Sequence, residues 1–145
     1  MEQRINITAL EPAAYKAMLE LEKYLSDTVL DTQIKELIKI RASQINGCAY
    51  CIQMHTEAAR NMGESEQRIY ALSAWKESPL FSDKERAALS LTEEMTLIAT
   101  SGLSDESYEA ALHELGEHAL AEAMVQIVTI NAWNRIAAAT KMRHD

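Results

Sequence analysis

Residues 31–55, "DTQIKELIKIRASQINGCAYCIQMH", contain a helical pattern, a helix stop and the start of a second helix. Asp31 is a residue type that caps helix N-termini. Apolar residues at helical spacing follow it, namely Ile34, Leu37, Ile38 and Ile45. The pair Asn46-Gly47 is typical of a helix end. We therefore predict a helix over about 31–46 and a second helix that begins at Cys48 and ends near Gly63.

The rest of the chain has patterns of the same kind. Further helices are predicted over about 11–26, 65–75, 85–101, 104–115 and 117–141. Ser82 precedes Glu85 by three residues, which is a capping box ahead of the helix that Gly102 closes. No segment has a convincing strand pattern. The fold class that follows is all-α, a compact bundle of about six to seven helices.

Composition limits the classes of protein. The 145 residues, 48% of them hydrophobic, suit one domain over 1–145, and 4 Gly with 2 Pro favour helices. The net charge of -8 disfavours nucleic-acid and anionic-membrane partners. The most apolar stretch, residues 119–140, contains charged and amide side chains and reads as a buried helix. Because the N-terminus has no signal-peptide pattern, we expect a cytoplasmic protein with no membrane contact.

The two cysteines of the chain share one side of the second helix with a histidine. At about 100° per residue, Cys51 lies about 60° from Cys48, and His55 returns to within about 20° of it. Both cysteines are expected in the first helical turn, where free amides and the helix dipole favour a thiolate. Residues three apart approach closely enough for a disulfide to form and open. An imidazole one turn after Cys51 suits proton exchange with its thiol.

Other interpretations of the pair stay open. Cys48, Cys51 and His55 could be three zinc ligands, but no second ligand pair completes the site. The fourth ligand would have to come through the fold, from Glu36, His113 or His118. The cysteines could also be inert core thiols. A thioredoxin-like protein is disfavoured because alternating strands are missing, and a reducing compartment argues against a purely structural disulfide.

The spacing Glu36, eleven residues, Cys48-x-x-Cys51, three residues, His55 resembles the signature of the alkyl hydroperoxidase D (AhpD)-like proteins. These form part of the carboxymuconolactone decarboxylase superfamily. The segments "AWKESPLFSDKERAALSLTEEMT" and "INAWNRIA" are also similar to segments of small members. The likeness covers most of residues 20–140.

The resemblance implies an all-α homo-oligomer, often a trimer or hexamer, with the cysteine pair near a subunit interface. It implies that Cys51 attacks a hydroperoxide, that Cys48 resolves the product and that Glu36 and His55 relay protons. No metal or bound organic cofactor is needed, and an external dithiol, such as a lipoyl protein, regenerates the thiols. From the residues alone the order stays open, because the dipole favours Cys48 as the more acidic thiol and His55 favours Cys51.

One departure from the family pattern bears on the peroxidase role. The best-known hydroperoxidases have a histidine before the second cysteine, where this chain has Tyr50; a phenol is a poor proton carrier at neutral pH, so packing is its expected role. By its local pattern, Glu36 would be a solvated helix residue weakly paired with Lys39.

Two other functions are alternatives to the thiol peroxidase. One is a carboxymuconolactone decarboxylase-type enzyme, which does not depend on a cysteine pair, and the other is a redox-sensing oligomer without peroxide turnover.

Two groups outside the motif have expected structural roles. One apolar helix contains unusually many polar groups, for which a satisfied buried network is favoured over a pocket lining or a subunit contact. They belong to Asn131, Trp133, Asn134 and Arg135. Trp75 and Phe81 flank a turn and are expected to anchor it on the core rather than bound a channel.

Overall fold

The computed structural model describes residues 2–143, and within that range it contains helices and turns but no strand. The α-helices are α1 (Ile7–Leu10), α2 (Pro12–Ser26), α3 (Thr32–Asn46), α4 (Ala49–Asn61), α5 (Glu66–Ala71), α6 (Asp83–Thr96), α7 (Ile98–Ser101), α8 (Asp105–Leu115) and α9 (Glu117–Thr140). A 3₁₀ turn, Leu72–Ala74, follows α5. The all-α class is confirmed. The expected six to seven helices are too few, because the described residues form nine.

The additional helices are single turns without detectable periodicity. Asn6 begins α1 by accepting a hydrogen bond from the amide of Ala9 at 3.1 Å, although the sequence pattern first becomes helical at Pro12. The helix predicted over 85–101 leaves helical geometry at Leu97 and resumes as α7. A four-residue helix has no repeat that a hydrophobic pattern can reveal.

The predicted helix ends agree with the structure where a side chain or glycine makes them. The carboxylate of Asp31 accepts hydrogen bonds from the amides of Gln33 and Ile34, at 2.8 and 3.2 Å. Gly47 closes α3 in the left-handed conformation, with φ of 65°. The capping box of Ser82 and Glu85 is formed at the start of α6. Asp31 and Gly47 thus fix the two ends of α3, the helix that carries Glu36.

Helix α3 lies in the middle of the fold and packs against α4, α6 and α9. Apolar residues on its two sides belong to two separate hydrophobic clusters. One cluster also contains residues of α6, α8 and α9, and the other contains residues of the segment around the 3₁₀ turn. Trp75 and Phe81 are buried in the second cluster, which agrees with a core anchor. None of the helices described within residues 2–143 is long and apolar enough to cross a membrane.

A polar network crosses the interface between α3 and α9. Asn46 donates from Nδ2 to the side-chain oxygens of Asn131 and Asn134, both at 2.9 Å. Asn134 donates to Ser43 Oγ at 3.0 Å, and Arg135 donates to Asn131 Oδ1 at 2.8 Å. Asn131, Asn134 and Arg135 therefore have partners within the chain, and the two asparagines fix α9 to the end of α3.

Candidate active site

Cys48 and Cys51 form a disulfide at the start of α4, with their Cα atoms 5.3 Å apart. Cys48 is the N-cap of the helix and has an extended backbone, so it precedes the first turn in which it was expected. Gly47 turns the chain directly before it, and the Cys48 amide donates to the carbonyl of Ser43 at 3.0 Å. Both cysteines are buried, with 2% and 3% of their surface exposed.

The sulfur of Cys48 occupies the place of an N-cap acceptor. The amide of Cys51 donates to Cys48 Sγ at 3.3 Å. After reduction, a negative charge on Cys48 would lie beside this amide and at the positive end of the helix dipole. Cys48 is therefore a good leaving group in thiol–disulfide exchange.

Glu36 joins α3 to α4 beside the disulfide. Its Oε2 lies 3.2 Å from Nδ1 of His55, and its Oε1 lies 2.5 Å from Nζ of Lys39. His55 is one helical turn after Cys51 and on the same side of α4. Glu36 and His55 are therefore in contact, and His55 follows the second cysteine of the disulfide by one turn of α4.

The carboxyl of Glu36 is buried and ionised. Burial acts to raise its pKa, but the hydrogen bond from His55 and the charge and hydrogen bond of Lys39 outweigh burial and lower the pKa below its usual range. The interpretation of Glu36 as a solvated residue is thus wrong, since only 7% of its surface is exposed. The pair with Lys39 is shielded from water as well.

The acid dependence of stability tests this ionised state. A carboxyl with a lowered folded pKa stabilises the fold above its unfolded pKa, about 4.3 for glutamate, and the contribution is lost as the pH falls through the folded pKa. We expect Glu36→Gln to lower the free energy of unfolding near pH 7, and the gap to wild type to shrink below about pH 4. Urea unfolding with the disulfide intact measures both. A gap that is independent of pH would contradict an ionised Glu36.

A cavity of about 430 Å³ adjoins the disulfide. Its wall is mainly apolar and aromatic and consists of Thr8, Tyr15, Leu19, Glu22, Tyr50, Cys51, Met54, His55, Ile130, Trp133, Ile136, Ala137 and Met142. Cys51 and His55 are part of this wall, whereas Cys48 and Glu36 are not. A molecule in the cavity would therefore meet Cys51 before Cys48.

Helices α2 and α9 supply the side of the cavity that the motif does not reveal. Trp133 donates from Nε1 to Glu22 Oε1 at 2.9 Å, and its ring meets the Tyr15 ring edge-on at 5.9 Å between centroids. Tyr50 also lines the cavity and packs against the cysteine pair. Sequence reasoning missed Tyr15 and Glu22 and ranked a pocket lining below a buried network for Trp133, because no local signal connects residues more than 100 positions apart.

Other candidate sites do not join this centre. A more open hollow of about 730 Å³, lined by residues such as Gln44, Thr56 and Arg60, contains neither cysteine nor His55. Within residues 2–143 there is no group of three or more Cys, His, Asp or Glu side chains arranged to hold a metal. His113 is exposed and contacts Glu114, away from the motif.

Fold and site together define an all-helical protein with a Cys-x-x-Cys disulfide, a buried glutamate–histidine pair and an adjoining apolar cavity. The carboxymuconolactone decarboxylase family model matches residues 12–94, more than half of the chain. The uncharacterized protein YdfG of Bacillus subtilis (strain 168) is 45% identical over 139 residues, which are 96% of this chain and 95% of YdfG. The chain therefore belongs to the carboxymuconolactone decarboxylase family.

Solved structures agree with this assignment. ATU0492 from Agrobacterium tumefaciens, a protein of unknown function suggested to be the antioxidant defence protein AhpD, has a TM-score of 0.96 at 39% identity over 99% of both chains. The AhpD-like resemblance is thus confirmed. The debrominase Bmp8 has a TM-score of 0.85 at 22% identity, over 95% of this chain and 74% of Bmp8, which shows a shared fold.

Proposed function

We propose that this protein is a peroxiredoxin-like, thiol-dependent hydroperoxide reductase that serves antioxidant defence. The observation that carries the proposal is the position of Cys51 in the cavity wall, one turn before His55 and bonded to a cysteine outside that wall. The AhpD assignment suggested for ATU0492 supports the same chemistry.

In the reduced protein, the Cys51 thiolate would attack the distal oxygen of the hydroperoxide. The O–O bond breaks, Cys51 becomes a sulfenic acid, and the alkoxide leaving group takes a proton to become an alcohol. His55 is the group in the cavity wall one turn from Cys51 that can carry this proton, and Glu36 contacts its ring. Neither step needs a metal or a bound organic cofactor.

Cys48 would then resolve the intermediate. Its thiol attacks the Cys51 sulfur, the S–O bond breaks, and the sulfenic oxygen leaves as water. The product is the Cys48–Cys51 disulfide that the structure contains. One hydroperoxide and two thiols are consumed, and one alcohol, one water and one disulfide are formed.

An external dithiol would restore the thiols by exchange. Attack on Cys51 through the cavity releases Cys48, whose thiolate the Cys51 amide and the helix N-terminus stabilise. A lipoyl group is the donor that the family resemblance suggests. The cavity is mainly apolar, which suits a narrow hydrocarbon chain that ends in sulfur.

We also propose a cytoplasmic homo-oligomer, as trimer or hexamer. Several large apolar side chains are exposed on the surface of the single chain, which supports their burial against other copies of the chain. They include Leu10, Tyr24, Val29 and Val128.

The test mixes fully reduced protein with an organic hydroperoxide under anaerobic conditions and follows both thiols by rapid quench and mass spectrometry. We expect loss of both thiols far faster than the reaction of free dithiothreitol, with one intramolecular disulfide formed per hydroperoxide. The matched control uses a small disulfide as oxidant at the same concentration.

Three outcomes would redirect the proposal. Slow reaction with hydroperoxide and fast reaction with the small disulfide would favour a disulfide oxidoreductase. A change of oligomer size on oxidation without turnover would favour a redox sensor. Full activity of a cysteine-free double variant on a carboxylactone would favour a decarboxylase.

A further inference from the structure

We propose that Lys39 is a positioning residue of this site, which holds the Glu36 carboxylate so that His55 presents the correct nitrogen to Cys51. The inference rests on the proposed function for its catalytic consequence and extends the glutamate–histidine pair by one residue. The family motif does not include Lys39, and local sequence reasoning made it a weak surface partner.

Geometry is the first argument. Lys39 follows Glu36 by one turn of α3, and its Nζ lies 2.5 Å from Oε1. His55 uses the other oxygen, Oε2, at 3.2 Å from Nδ1. One carboxylate thus joins the two groups without competition between them. A cation bound to Oε1 leaves Oε2 directed towards α4.

Shielding from water makes this contact stronger than a surface pair. The side chains of Lys39, Glu36 and His55 are 14%, 9% and 16% exposed. Charges interact more strongly in such a position than in bulk water. Burial by itself would favour a neutral Glu36, so the ionised form depends on its two partners, Lys39 from α3 and His55 from α4.

The state of Glu36 determines which nitrogen of His55 carries the proton. An ionised carboxylate can only accept hydrogen bonds, so Nδ1 of His55 must donate. In the neutral ring, Nε2 is then unprotonated and can take a proton from the Cys51 thiol. A protonated Glu36 could instead donate to Nδ1, which would place the ring proton on Nε2. Lys39 prevents this reversal by keeping Glu36 ionised.

The experiment reads the His55 ring directly. Nitrogen-15 NMR of the reduced protein near neutral pH distinguishes the two neutral forms, with the His55 signals assigned by their loss in His55→Asn. We expect the Nδ1-protonated form in wild type and Lys39→Arg, and a shift towards the Nε2-protonated form in Lys39→Met. Lys84→Met, at an exposed position, removes the same charge elsewhere and should match wild type.

Activity provides a second readout. We expect Lys39→Met to react with an organic hydroperoxide about tenfold more slowly than wild type, and Lys39→Arg to recover most of the rate. If circular dichroism shows that Lys39→Met folds poorly, both the His55 signals and the rate are measured on Lys39→Gln instead. Wild-type His55 signals in a folded neutral variant would overturn the inference. If wild type itself does not reduce hydroperoxide but the neutral variant still shifts the His55 signals, the proposed function fails and the positioning role stands.

Discussion

Cys51→Ser is expected to slow the reaction of the reduced protein with an organic hydroperoxide by about 1000-fold or more. A serine hydroxyl is not ionised near neutral pH, so the nucleophile that faces the cavity is lost. Cys48 remains in this variant, but it lies outside the cavity wall. Stopped-flow mixing with rapid-quench mass spectrometry measures the second-order rate constant.

Cys48→Ser is the matched variant, since it changes the same atom three residues away. It should attack hydroperoxide at a rate near that of wild type and then stop, because no thiol can resolve the sulfenic acid. A trapping reagent for sulfenic acids should add its mass to Cys51 in this variant. Both cysteines take part in one disulfide, so the two variants lose the same covalent bond.

Two physical effects compete for the choice of nucleophile. Cys48 has the N-cap position, with the Cys51 amide 3.3 Å from its sulfur, which favours its thiolate. Cys51 lies in the cavity wall, as does the imidazole of His55, which favours Cys51 as the nucleophile. A thiolate that substrate cannot reach does not react, so access should decide. Fast attack by Cys51→Ser and slow attack by Cys48→Ser would reverse the assignment and give the decisive role to the helix N-terminus.

Sequence reasoning succeeded where one residue's own chemistry fixes the structure. Asp31 caps α3, Gly47 ends it, and Ser82 with Glu85 begins α6, as their local patterns predict. Each depends on contacts within a few residues. The four-residue helix α1 was missed and α7 was merged with α6, because a single turn has no period, and the helix count was therefore too low.

The environment of the site residues was harder to predict than which residues form the site. Cys48, Cys51 and His55 were selected from their spacing, and Glu36 from the resemblance to the AhpD-like signature. The structure brings Glu36 to His55 and joins the cysteines. The sequence could not show that Glu36 is buried, since by its local pattern this residue would be exposed on its helix. Burial follows from how α4 packs on α3, which is a tertiary property. The α2 side of the cavity was invisible for the same reason.

The second large effect is expected from Asn134, which holds α9 to the end of α3. We expect Asn134→Ala to lower the free energy of unfolding by about 2–4 kcal/mol. The side chain is fully buried, donates to Ser43 Oγ and accepts from Asn46 Nδ2. Its removal leaves a void and takes one partner from each of two groups. Urea unfolding of the oxidised protein measures the change, and the exposed Asn61→Ala should stay within about 0.5 kcal/mol of wild type.

Asn134→Leu separates the lost hydrogen bonds from the void. Leucine branches at the same atom as asparagine and is somewhat larger, so it leaves no void, but it offers no donor to Ser43 and no acceptor to Asn46. If hydrogen bonding dominates, this variant should remain at least about 1 kcal/mol less stable than wild type, because buried polar groups lose their partners. Stability equal to that of wild type would mean that the hydrogen bonds of Asn134 contribute no net stability.

The same network borders the disulfide. Since the Ser43 carbonyl accepts a hydrogen bond from the Cys48 amide, loosening the end of α3 should also loosen the first residue of the disulfide. Faster hydrogen exchange at the Cys48 amide in Asn134→Leu than in Asn61→Ala would connect this network to the reactive pair.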